Sequence, residues 1–307
     1  MTAPINKTMD RDDLLTESAR PVVGELNRLI RQIYVVGEVM SSWYGMLEAP
    51  FTPVGMENRG AGYEPLPGAH DDKRIPWYLY WEIEWVIRNG PRLKKGMRIL
   101  DAGGTSSLFS CYMASLGVEV HSIDINPTLL ENASKLAQIF NWKMNVYCMD
   151  VEKMAFEDMF FDHAFSICVF EHLDFYTKQK AMVEIHRCLK PKGQLCLTFD
   201  YKNPAPYVFG YFGFDQRYRN ALDSPERVKQ VLGSSGLYSM KGNQDFFDSG
   251  KRYLRPPHES GAHDGREYTF GALFLEKKDF FRKSHGRTAY PYKPFKISCL
   301  VPCAAPA

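Results

Sequence analysis

Four apolar runs of this chain end in groups that can do chemistry. Ile99-Leu100 leads into Asp101-Ala102-Gly103-Gly104-Thr105, "VHSIDINP" ends its apolar part at Asp124 and Ile125, "VYCMDVEKM" carries Asp150-Val151, and "FSICVF" closes on Glu171-His172. A carboxylate offers two acceptor oxygens at the spacing of two neighbouring ribose hydroxyls. Asp124 lies 23 residues beyond Asp101, close to the roughly 20-residue offset at which such an acid follows a glycine turn. Its other reading is a cap for the helix opening at Pro127, a role Asn126 could fill instead. Glu171 and His172 are candidates for moving a proton, or His172 orients its loop; Tyr176, four residues beyond His172, is an aromatic candidate at the same place.

These groups are useful only if strands hold their ends together. From Arg98 onward, apolar runs with strand character alternate with helical spacing. Strands are expected at Arg98–Asp101, Glu119–Asp124, Asn145–Cys148, His163–Cys168, Gln194–Phe199, Tyr238–Asn243 and Thr269–Glu276. Helices are expected at Ser107–Leu116, Pro127–Phe140, Thr177–Cys188 and Pro225–Ser234. Such alternation implies an α/β fold with a doubly wound, mostly parallel sheet, whose ligands sit outside the carboxyl ends of the strands. No helix pattern separates the last two strands, so they are expected to pair antiparallel or lie apart.

Ahead of the sheet, Asp10 to about Tyr44 reads as two helices, with Pro21 at a helix start. The Pro- and Gly-rich stretch Glu48–Lys73 reads as a long lid-like loop, and a further helix is expected from about Pro76 to Ile87. The division that follows is an N-terminal helical cap and lid over residues 1–75, a ligand-binding domain over 76–280 and an irregular tail over 281–307. The aromatics at Trp43, Tyr44, Trp77, Tyr78, Tyr80 and Trp81 read as core. Tyr63 in the loop and Tyr176 are the two placed to meet a bound cation by cation–π attraction.

Composition narrows the classes. The 307 residues carry 38 Lys and Arg against 36 Asp and Glu, with none of the basic excess that tracks nucleic acid. No apolar run approaches the ~20 residues of a membrane span, and the N-terminus lacks a signal-peptide pattern, so a cytosolic protein is expected. The seven cysteines form no C-x-x-C pair and the eight histidines no ligand spacing, so no metal site is expected and buried thiols are.

The turn itself selects the ligand's charge. "GGTSSL" misses the G-x-G-x-x-G spacing that wraps a pyrophosphate, and Asp101 would repel one. A nucleoside carrying an ammonium and a sulfonium instead of phosphate is attracted by the same carboxylate; S-adenosylmethionine is that compound. With these residues in view, the stretch from Trp77 to Lys278 resembles the class I S-adenosylmethionine-dependent methyltransferases. Their first motif, D-x-G-x-G-x-G, is matched at Asp101 and Gly103, with Thr105 and Ser107 in place of the second and third glycines. "FDHAFSICVFEHL" resembles their fourth motif and "RCLKPKGQLCLTF" their fifth strand with its preceding turn.

The resemblance implies a Rossmann-like seven-stranded sheet with the last strand reversed. It implies cofactor contacts at Asp101, Gly103, Gly104, Thr105, Asp124, Ile125, Asp150 and Val151, with Asp150 and the Val151 amide on the adenine; Tyr63 is added to them by the cation–π reading of the loop. Methyl transfer to a small-molecule acceptor is the activity it implies. The alternative is a relative that cyclises S-adenosylmethionine to azetidine-2-carboxylic acid and releases methylthioadenosine. "NPAPY" at Asn203–Tyr207 follows the fifth strand rather than the fourth and reads as a rigid acceptor-side loop.

Overall fold

The computed structural model describes residues 4–41, 75, 77–201, 222–233, 236–254 and 267–279. Tyr63, the loop at Glu48–Lys73, Trp43, Tyr44, "NPAPY" and the tail lie outside the described residues. Five parallel strands form the sheet's centre: β2 (Arg98–Ala102), β3 (Glu119–Asp124), β4 (Met144–Cys148), β5 (His163–Ile167) and β6 (Gln194–Tyr201). They lie in the order β4-β3-β2-β5-β6, so the winding direction reverses at β2. The crevice for a ligand opens at such a reversal, beyond the carboxyl ends of β2 and its neighbours.

β9 (Glu267–Lys277) runs antiparallel to β6. Three short strands cover its outer edge: β1 (Lys7–Thr8), β7 (Tyr238–Met240) and β8 (Tyr253–Leu254). β7 pairs antiparallel with β9, as two strands without a crossover helix should. The mostly parallel sheet with its last strand reversed is the expected fold. β1 and β8, among the described strands, add to the seven.

Successive side chains of a strand face opposite ways. Ile99 and Val120 accordingly enter one core with α1 (Arg20–Val35), α2 (Trp77–Asn89), α3 (Leu108–Ser115) and α4 (Pro127–Ile139). Leu100 and Ile123 enter the other, with α5 (Phe175–Cys188) and α6 (Pro225–Val228), the latter continuing as a π turn over Lys229–Gly233. Trp77, Tyr78, Tyr80 and Trp81 are all core, as their helical spacing suggests.

The N-terminal residues are fastened to this body. Trp81 Nε1 donates to Asp13 Oδ2 at 2.8 Å, Trp85 Nε1 to the Ile5 carbonyl at 2.9 Å, and Tyr80 Oη to Asn27 Oδ1 at 2.7 Å. The second of the helices expected between Asp10 and about Tyr44 ends earlier than the sequence suggests. α1 stops at Val35 because Gly37 takes a φ of 77°. The amides of Gly37 and Glu38 then donate back to the carbonyls of Tyr34 and Ile33 at 3.0 and 3.2 Å, closing the helix end. Among the described residues no helix is long and apolar enough to cross a membrane.

Candidate active site

The turn after β2 is built around Asp101. Its carboxyl is buried; Oδ2 accepts from the Ser110 hydroxyl and from Ser122 Oγ at 3.1 Å, while Oδ1 is buried without a partner. Burial pushes its pKa up to about 6, the two hydroxyls opposing the shift and the charge of Asp124 adding to it. The turn above packs too closely for side chains. Gly103 has a φ of 81°, and a Cβ there would lie 2.6 Å from Val169 Cγ1; one on Gly104 would lie 2.5 Å from Asp101 Oδ1.

The hydroxyl residues standing where the related motif has glycine are accommodated by pointing inward or capping. Thr105 Oγ1 lies 2.8 Å from Ser122 Oγ, and Ser107 caps α3 by accepting from the Ser110 amide at 3.2 Å. Ser106 takes a φ of 66°, and its carbonyl accepts from the Ser41 amide at 2.7 Å. Asn132 Nδ2 bridges the Val39 carbonyl and the Ser106 hydroxyl. The segment after α1 is therefore laid along the turn.

Asp124 and Asp150 stand at the next two strand ends. Asn126 Oδ1 accepts from the Thr128 amide at 3.0 Å and caps α4, so Asp124 is not needed as the cap. Asp124 Oδ1 instead accepts from the Asn126 amide at 2.8 Å, and burial raises its pKa. Pairing of Asp124 with Cys148 across β3 and β4, and the 3.1 Å bond from the Met149 amide to the Asp124 carbonyl, bring the β4 end beside it. There Asp150 is exposed, its Oδ1 accepting from the Glu152 amide at 2.9 Å, and Val151 packs at the edge of the second core. Ile125 is 74% exposed at the rim, an apolar surface beside two acids.

Beyond β5 the chain turns sharply at Cys168, whose φ is 53°, into a 3₁₀ turn over Phe170–His172. Glu171 is nine-tenths buried with Oε2 lacking a partner, and burial pushes its pKa up to about 7. Its Oε1 lies 3.9 Å from Nε2 of His172, whose side chain is 53% exposed. The structure thus brings Glu171 and His172 together. Tyr176, at the start of α5, is 76% exposed and packs edge-on against Phe175.

Glu82, Cys168, Asp200 and Lys178, which the spacing did not single out, surround Glu171. Cys168 Sγ donates to Glu82 Oε1 at 2.8 Å, and the Cys168 amide to Thr198 Oγ1 at 3.2 Å. Glu82 is fully buried, its pKa pushed up to about 8 by desolvation, against the bonds from Cys168 and Thr198. Lys178 Nζ donates to the Leu173 carbonyl, and burial lowers its pKa to about 8. The available signal was "WEIEW": two acids within a run, Trp77 to Ile87, that is otherwise apolar or aromatic.

A parallel sheet reversing at β2, a tight acid-anchored turn and carboxylates at the ends of the next two strands define a nucleoside-binding fold of the class I methyltransferase type. Comparison with known proteins agrees: residues 100–197 match a methyltransferase domain family. The chain carries a class I S-adenosylmethionine-dependent methyltransferase domain, and S-adenosylmethionine is its cofactor.

A ubiquinone/menaquinone biosynthesis C-methyltransferase, UbiE, from Psychromonas ingrahamii is 27% identical over 181 residues, covering 57% of this chain and 70% of that protein. A ubiquinone biosynthesis O-methyltransferase from Rickettsia akari is 26% identical, covering 44% of this chain; the chain spans about half of that relative, 53%. A solved S-adenosylmethionine-dependent methyltransferase from Aquifex aeolicus is 18% identical, covering 61% of this chain and 85% of that one, with a TM-score of 0.42.

The residues present fit the cofactor on charge and space. The unpartnered buried oxygen of Asp101, the carboxylates of Asp124 and Asp150 and the Cβ-free turn at Gly103-Gly104 favour a cationic nucleoside over an anionic one.

Proposed function

We propose that the protein methylates a small-molecule acceptor held beyond the carboxyl ends of β5 and β6. When bound, S-adenosylmethionine supplies a methyl group on a sulfonium, ready for in-line displacement. The chain's own residues hold and align. Asp124 accepts from the ribose hydroxyls, Asp150 and the Val151 amide take the adenine edge, and Ile125 offers an apolar surface to the base. Gly103, Gly104 and Thr105 form the floor for the amino-acid end, with Asp101 beneath them setting the turn's shape and its negative field. Tyr63 is retained as a cofactor contact on the cation–π reading of the sequence alone.

Alignment and exclusion of water supply most of the rate in such a displacement. Where the acceptor must lose a proton, the exposed ring of His172 takes it and Glu171 stabilises the resulting imidazolium. A further aromatic face at Tyr176 contributes at the rim. Both relatives' names place them in quinone biosynthesis, so a hydroxylated aromatic ring is the first acceptor class to try; its phenol is the kind of group a histidine can deprotonate.

The observation carrying this reading is the register that sets Asp101, Asp124 and Asp150 at the ends of three adjacent strands. The test is to incubate the protein with S-adenosylmethionine, with and without hydroxylated aromatic acceptors, and identify the nucleoside released. Acceptor-dependent S-adenosylhomocysteine is expected. Methylthioadenosine released without an acceptor would replace the reading with internal cyclisation.

A further inference from the structure

A second chemistry is built into the acceptor side of the site. Cys168, Glu171 and Asp200 each present a ligand atom, and these atoms all lie within 4.8 Å of one another. Three partly exposed residues from the turn after β5 and the end of β6 thus bring donors together. An independent observation comes from a different element. Glu82 of α2, fully buried, holds Cys168 Sγ with one oxygen at 2.8 Å, while its Oε2 is buried with no partner; Glu171 Oε2 is in the same condition. Buried carboxylate oxygens without partners cost free energy, and a native fold tolerates them where a ligand satisfies them.

We propose that Cys168, Glu171 and Asp200, backed by Glu82, bind a divalent cation of borderline softness, with zinc the first candidate. Metal–sulfur bonds of about 2.3 Å and metal–oxygen bonds of about 2.0–2.2 Å put donors on one ion roughly 3.5–4.3 Å apart. The set therefore closes with side-chain movements of about an ångström. Charge agrees: a thiolate and two carboxylates carry three negative charges, Lys178, whose charge reaches Glu171, offsets one, and a dication cancels the remaining two.

The thiol in the set distinguishes a metal from an ammonium ion, which would use carboxylate oxygens alone. On binding, the Cys168 S–H bond breaks, a sulfur–metal bond forms and the proton is released to solvent; no group is oxidised or reduced. Glu171 can ligate through Oε2, leaving Oε1 toward His172. An ion here keeps positions open for an oxygen of the acceptor; that consequence rests on the methyl-transfer reading, but the binding itself does not.

The experiment uses the full chain, stripped with a chelator and titrated with cobalt(II). One equivalent should bind with a near-ultraviolet thiolate-to-cobalt charge-transfer band that zinc then abolishes. Cys168→Ser should lose the band with an unchanged far-ultraviolet circular dichroism spectrum. Glu82→Gln, which keeps the thiol, should retain the band but bind cobalt about 10–100-fold more weakly. Asp200→Asn should weaken binding at least about tenfold, which keeps the test open should Cys168→Ser fail to fold. No band in the wild type, a band that survives Cys168→Ser, or unchanged affinity in both Glu82→Gln and Asp200→Asn would overturn the proposal.

Discussion

Replacing Asp101 by Asn probes the base of the cofactor turn through its pH dependence. Burial raises the Asp101 pKa from 3.8 to about 6, so the folded protein holds this proton more tightly than the unfolded chain does. The sign follows from linkage: where the folded state binds more protons, stability falls as pH rises. The stabilisation is full below the unfolded value and is lost as pH climbs through the folded one. In full the loss is about 3 kcal/mol, at 1.36 kcal/mol per unit. About 2 kcal/mol of it falls between roughly pH 4.5 and 7.5, because the unfolded carboxyl is already mostly ionised at the lower limit.

Asn keeps the shape and one acceptor for Ser110 and Ser122 but does not titrate. Urea unfolding of both proteins across that range isolates the group, since every other titration is shared. The stability difference, Asn minus Asp, should shift in favour of Asn by about 2 kcal/mol from the acidic to the neutral end. A difference that stays constant with pH would show that Asp101 ionises normally under its turn and would refute the reasoning.

Three further outcomes are expected. Asp124→Ala should weaken S-adenosylhomocysteine binding roughly 10–100-fold, from the loss of hydrogen bonds to a charged acceptor worth about 1.5–3 kcal/mol; isothermal titration measures it, and unchanged affinity denies Asp124 the ribose. His172→Asn should lower kcat about 10²–10⁴-fold with cofactor affinity unchanged; full turnover on a phenolic acceptor would assign His172 to the loop instead. Gly103→Ala should destabilise the fold by about 1–3 kcal/mol, since its φ is 81° and the new methyl meets Val169; an unshifted melting temperature would contradict the packing of the turn.

The strands were legible because their signals are local. β3 spans the residues read for it, and β2, β4 and β5 differ by a residue at an end, since an apolar run ending in an acid or a turn marks a parallel strand without tertiary information. The end of α1 was not, because Gly37 sits on the apolar spacing and its left-handed backbone appears only in the structure. β1 is two residues long and exists only by pairing with β9, so no periodicity could announce it.

In the site, the acids at strand ends were visible, but not which way their oxygens turn. Asp101 faces Ser110 and Ser122 inside the turn, a distinction set by packing. Glu82 lies far from the strand ends in sequence, and α2 has to fold onto the sheet before it meets Cys168.

Acids at three strand ends are expected to select a cationic nucleoside and reject an anionic one. Isothermal titration of the wild-type protein with S-adenosylmethionine and, separately, with NADH tests it most directly. Saturable one-to-one binding of the sulfonium compound with none of the dinucleotide is predicted; tight NADH binding with no S-adenosylmethionine binding would contradict the account.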